Sequence, residues 1–177
     1  MNRPSLERLF VLREAGDITR CHTMPTIKDQ TVGHHTFNVV LILMDAVPEL
    51  CTARLMKAAI CHDLAEIRTG DIPAPVKWSH PELEDTLKQI EEEFYQDWDI
   101  CVQLPKLEKV LLKCADGLEL FLYCLDEVRM GNRNAVEVLF RIMNGIRERG
   151  VPPEMRSYVN EVFVQAGMEL EEMGVQL

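Results

Sequence analysis

Apolar positions along this chain recur at helical spacing and nowhere alternate with polar ones. Leu6, Leu9, Phe10 and Leu12 define a short amphipathic helix opened by Pro4 and Ser5 and ended at Gly16. A polar loop from Asp17 to Pro25 follows. Val32, Phe37, Val39, Val40 and Leu43 predict a second helix from about Thr31 to Ala46, closed by Pro48. A third runs from about Cys51 to Ile67, and the glycine and prolines of the 68–75 stretch forbid its continuation. Pro81 starts a long acidic helix, whose charge run reads as a solvated face without a functional role. The helix from Pro105 to about Met130 is apolar nearly all round, which marks a central or subunit-interface element. Helices at about Asn134–Arg147 and Pro153–Gly167 complete a single all-α domain spanning 1–177, a compact helical bundle without strands or repeats.

Composition narrows the function. With 177 residues the chain can bury a proper core. A net charge of −10 argues against duplex nucleic acid as a partner, because a phosphate backbone calls for a basic face. A small anionic substrate held by local cations and a metal stays compatible with it. Six cysteines occur without a C-x-x-C pair, and several fall on apolar runs, so they read as reduced buried thiols. No run approaches the ~20 apolar residues of a membrane span, and the N-terminus has no signal-type block. The expectation is a cytoplasmic protein, in the host cytoplasm if phage-encoded.

The chemistry centres on Cys61-His62-Asp63-Leu64-Ala65-Glu66. An imidazole and a carboxylate within an apolar run persist only if paired or bound to a metal. Neighbouring side chains on a helix diverge by about 100°, so a cation completed from other helices would satisfy both. His35 and Asp116 are the further candidates. Imidazole with carboxylate suits Zn²⁺, Co²⁺, Mn²⁺ or Fe²⁺, with Mg²⁺ as a further option. Only one of His34 and His35 can face such a site. Asp116, on the most apolar helix, could instead pair with Lys113 three residues earlier. Glu66, a turn beyond His62, is placed for general acid/base work, or for a salt bridge with Arg68. Asp71 could fold back over the site or be a plain turn residue. Arg20, Lys77 and Lys113 each flank a site element in an otherwise acidic chain, and together with a metal they describe a phosphate pocket.

His35, His62-Asp63 and Asp116 resemble the H…HD…D pattern of the HD phosphohydrolase superfamily, which is all-helical and metal-dependent. Five segments sharpen the resemblance: Arg20 with Met24; 32–36 (VGHHT); 62–66 (HDLAE); 69–78 (TGDIPAPVKW); and 113–116 (KCAD). They look like the bacterial 5′-deoxynucleotidases of that superfamily and the small phage dATP triphosphohydrolases. The resemblance implies His35, His62, Asp63 and Asp116 as metal ligands and Glu66 as the acid/base. It implies Asp71 at the sugar or the attacking water, and Arg20, Lys77 and Lys113 at phosphate. Pro75 would pack the base, and Cys21 and Thr23 would line the substrate loop. Two positions depart from the nucleotidase pattern: His34 replaces a Glu, and Cys21 replaces a Trp that shapes the sugar and base pocket.

The expected activity is metal-dependent hydrolysis of a small-molecule deoxynucleotide at the α-phosphate. Compact length, His34 and Cys21 lean toward a dATP-type triphosphohydrolase, with a 5′-deoxynucleotidase as the alternative. A catalytically silent metal- or nucleotide-binding helical protein is the reading from another class. The apolar 111–125 run further predicts a homo-oligomer.

Overall fold

A computed structural model describes residues 5–100 and 103–175, apart from the side chains of Ala74, Pro75 and Trp78. Nine α-helices are present among them: α1 (Leu6–Glu14), α2 (Val32–Ala46), α3 (Ala53–Cys61), α4 (Glu66–Thr69), α5 (Ala74–Ser79), α6 (Pro81–Asp97), α7 (Lys106–Arg129), α8 (Asn134–Arg149) and α9 (Arg156–Glu172). Side-chain caps start several of them. Ser5 accepts from the Arg8 N–H, Thr31 from His34 and Thr52 from Leu55, each satisfying a donor that has no partner inside its helix.

The main core is a sandwich of α2, α7 and α8, closed by α3 and α9. Val39, Leu43, Leu55, Leu111, Leu118, Phe121, Leu139 and Phe163 meet there. α7 is therefore central within one chain, and its apolar faces are covered by α2 and α8 rather than by a second subunit. A smaller cluster of Ala65, Phe94 and Ile100, with Leu12, Leu64 and Trp98 around it, seats α6 against the 61–67 region. The acidic helix is thus amphipathic, with Phe94 buried beneath its charged face.

Three local expectations need correction. The 51–67 helix is interrupted: α3 ends at Cys61, residues 62–65 form turns, and α4 restarts at Glu66. Carbonyls freed at that end are taken by a neighbour, since the Tyr95 hydroxyl of α6 lies 2.7 Å from the Cys61 oxygen and 2.9 Å from that of His62. Second, α5 starts directly after Pro73, because a proline is tolerated where a helix begins. Third, Thr19–Arg20 (β1) pairs antiparallel with Gln30–Thr31 (β2), Arg20 opposite Gln30. Two residues per strand leave no alternation to read.

This ladder hands the chain into α2 beside the 3₁₀ turn at Ala15–Asp17. There the backbones of Gly16 and Gly33 touch: a Cβ on Gly33 would stand 3.0 Å from the Gly16 oxygen. His35 follows half a turn later and is fully buried.

Candidate metal and phosphate site

His35 of α2, His62 of the turn after α3 and Asp116 of α7 offer ligand atoms that all lie within 4.8 Å of one another. The helix break matters here. Turn geometry folds His62 and Asp63 toward one another, with Nε2 and Oδ2 3.3 Å apart, whereas a continuous helix would have splayed them. Asp63 Oδ2 also lies 3.6 Å from His35 Nε2. Asp116 is paired with Lys113, one oxygen 2.8 Å from Lys113 Nζ, and its other oxygen lies 3.2 Å from His35 Nε2. Of the adjacent histidines, His35 points inward and His34 is exposed.

Each imidazole is fixed through its far nitrogen. His62 Nδ1 lies 2.8 Å from the Ala59 carbonyl, which can only accept, so Nδ1 carries the hydrogen and Nε2 presents a lone pair. His35 Nδ1 is held by Glu119, a short contact inside the core. The Nε2 atoms of both rings are buried without an aligned hydrogen-bond partner. Two orphaned nitrogens beside carboxylates, each backed through Nδ1, are what a divalent ion requires, so the residues fit one.

The electrostatics agree. Burial works against a charge on His35, yet Asp116 and Glu119 outweigh it and push its pKa up to about 9. Burial likewise opposes ionisation of Asp116, but His35 and Lys113 hold its carboxyl well below the usual range. Surroundings that favour a proton on a buried ring favour a cation in its place. For Glu66, burial and then Asp63 raise the pKa to about 8 against Arg20, and Glu66 Oε2 is buried without a hydrogen-bond partner.

The remaining predicted residues divide. Arg20 is buried and reaches the site, but its guanidinium is 2.5 Å from Asp63 and 3.8 Å from Glu66. Lys77 lines a cavity of about 100 Å³ with His62, Asp63, Glu66 and Thr69. Asp71 reaches the 17–25 loop: its Oδ2 accepts from the Cys21 N–H at 3.0 Å, and Cys21 has a left-handed φ of 56°. The Cys21 thiol packs on the main core, and burial pushes its pKa up to about 11. Thr23 is exposed in the turn that follows, and among the described residues no contact ties it to the cluster. The Pro75 side chain lies outside the described residues. The five described cysteines are free thiols, Cys114 and Cys124 buried and Cys21, Cys51 and Cys61 partly so, and Cys101 lies outside the described residues.

Glu119 is what the sequence reading missed. It is 3 % exposed and gathers His35, Gln30 and Asn38. Its signal was present: a second carboxylate one turn beyond Asp116 on the most apolar helix. Tyr95 was missed too, on a helix read only for its charge.

Comparison with known proteins follows the same lines. A profile for 5′-deoxynucleotidase YfbR-like proteins matches residues 9–166. A 5′-deoxynucleotidase of Yersinia pseudotuberculosis is 28% identical over 89% of this chain and 91% of its own. One from Vibrio vulnificus is 27% identical over 88% and 92%. Among solved structures, the cyanophage S-2L HD phosphohydrolase, bound to dA and one catalytic Zn²⁺ ion, superposes with a TM-score of 0.67 at 24% identity, covering 97% of this chain and 99% of its own. A Listeria innocua HD-domain phosphohydrolase gives 0.75 at 21% identity, covering 96% and 90%. The chain belongs to the 5′-deoxynucleotidase YfbR-like family and has the HD-domain phosphohydrolase fold.

Proposed function

We propose that this chain is a metal-dependent 5′-deoxynucleotidase, hydrolysing a deoxynucleoside monophosphate to deoxynucleoside and phosphate. The observation that carries the reading is the pair of orphaned Nε2 atoms of His35 and His62 facing Asp116. His35, His62 and Asp116, with Asp63, would hold the ion. A divalent ion there supplies Lewis acidity, which makes a neighbouring water nucleophilic near neutral pH and draws charge off a phosphoryl oxygen. Glu66, which lines the cavity beside Asp63, passes a proton from the water to the departing O5′. Lys77 steadies the phosphate from the cavity wall. The Asp71 carboxylate holds the Arg20–Cys21 corner that borders the sugar.

Two observations favour a monophosphate over the triphosphate that the sequence leaned to. A profile of 5′-deoxynucleotidase YfbR-like proteins matches residues 9–166, and the relatives described above are 5′-deoxynucleotidases. Of the three cations counted for a phosphate chain, Arg20 and Lys113 are already paired with Asp63 and Asp116. The His34 and Cys21 departures keep triphosphate cleavage as a second reading. Purified protein given each dNMP and dNTP with Zn²⁺, Co²⁺ or Mn²⁺ separates the two. Orthophosphate from dNMP is the expected product, and intact triphosphate released from dNTP alone would replace this reading with the second.

The protein is also proposed to be a homo-oligomer, now on different grounds. α2 exposes Phe37, Leu41 and Met44 at helical spacing along one face. A light-scattering mass near the 20.3 kDa of one chain would reject it. Among the described residues no helix is long and apolar enough to cross a membrane.

A further inference from the structure

Two cavities open beside His62. The first, about 100 Å³, is the polar one with Glu66 and Lys77. The second, about 170 Å³, lies between α3, α6 and α7 and is lined mainly by apolar groups, among them Ala58, Leu104 and Leu112. They share two residues: His62, and Glu91 of α6. Glu91 sits near enough to the cluster that its carboxylate senses Asp63, His62 and Lys77, with the Tyr95 hydroxyl beside it. Glu91 is exposed like Glu92 and Glu93 beside it, but it lines both cavities, and Leu87 and Ile90 of the same helix line the first.

We propose that Glu91 is a specificity-determining residue that limits how many phosphates the substrate can carry. This rests on the monophosphate reading above. A phosphoryl group seated at His62 has both cavities beside it, and a chain of phosphates continuing along either one passes Glu91. Glu91 borders each, so the effect does not depend on which one is taken. The first cavity already carries Asp63 and Glu66, with Lys77 as its lining cation among the described residues. A monophosphate brings about two negative charges, which the ion and Lys77 can balance. Two further phosphates bring added negative charge beside the Glu91 carboxylate, with Lys77 in the first cavity and Lys109 in the second as the lining cations, and like charges close together repel.

The test is the ratio of kcat/KM for a dNTP to that for its dNMP, in the metal-loaded wild type, Glu91→Gln and Glu91→Lys. The expected result is a rise of about tenfold in Glu91→Gln and more in Glu91→Lys, carried mainly by the KM of the triphosphate. The gain should shrink as salt is raised, since the effect is a screened charge. A ratio that stays within about twofold in both variants, or losses equal for both substrates, would overturn the role of Glu91. The wild-type assay alone decides the monophosphate reading. A wild type that prefers dNTP would sink that reading, and the response of the ratio to charge at position 91 would still be measured.

Discussion

The Glu119 carboxylate grips the Nδ1 edge of His35 in the middle of the core, and thereby turns the ring's other nitrogen toward Asp116. Both carboxylates stand on α7, three residues apart, so one helix face carries a group that would touch the ion and the group that aims its partner. Glu119→Gln should keep the fold and weaken metal affinity about 10- to 100-fold, the usual cost of losing a carboxylate behind a ligating histidine. Titration of the metal-free variant with Zn²⁺ measures it. Glu119→Ala should also lose stability, roughly 3 kcal/mol or more, because Gln30, Asn38 and His35 are left unpaired in the core. Urea unfolding of the metal-free protein reads that loss, and an undisturbed Glu119→Ala would contradict the assignment.

Removing a proposed ligand and removing the proposed acid/base should give different failures. His35→Ala and Asp116→Ala should purify without bound metal and without activity. Asp63→Ala should lose both as well. Glu66→Gln should retain metal while its turnover falls 10²- to 10⁴-fold. Metal analysis beside steady-state rates separates the classes, and metal loss in Glu66→Gln would merge them.

The metal-free protein should weaken as pH rises. His35 has its pKa raised from 6.5 to about 9, so its contribution is complete below 6.5 and disappears as pH climbs through 9. Glu66 is raised from 4.5 to about 8, so its ionisation above 4.5 also costs stability. Asp116 is depressed, and its contribution is lost only in acid, well below 3.8. Folded protein therefore binds more protons than unfolded across about pH 4.5–9, and thermal midpoints in chelator should be lower at pH 9 than at pH 6. Added metal should stabilise more at pH 9, since it no longer competes with a proton on His35. Equal midpoints at the two pH values in chelator would count against these shifts.

Gly33→Ala should be harmful and Gly16→Ala much less so. The added Cβ at position 33 meets the Gly16 backbone at 3.0 and 3.4 Å, whereas at position 16 the nearest atom is 3.7 Å away. Backbone cannot step aside as a side chain can, so α2 must shift and carry His35 with it. A loss of about 1–3 kcal/mol is expected for Gly33→Ala, with weaker metal binding. Comparable unfolding midpoints for the two variants would show that the contact is slack.

Helical periodicity by itself fixed the all-α class and the approximate extents of α2, α6, α7 and α8, because one-sided burial repeats every three or four residues wherever a helix packs. Residue chemistry also picked out His35, His62, Asp63 and Asp116, since ionisable groups on apolar runs demand an explanation. The sequence could not say that α3 stops before His62, where the freed carbonyls are taken by the hydroxyl of Tyr95, 33 residues further along the chain. Nor could it reveal that Arg20 is already paired with Asp63, that Asp71 reaches Cys21, or that Glu91 of the charge run lines both cavities beside His62. Local propensity is written residue by residue. Which carboxylate meets which cation depends on distances between helices, and those exist only once the core has closed.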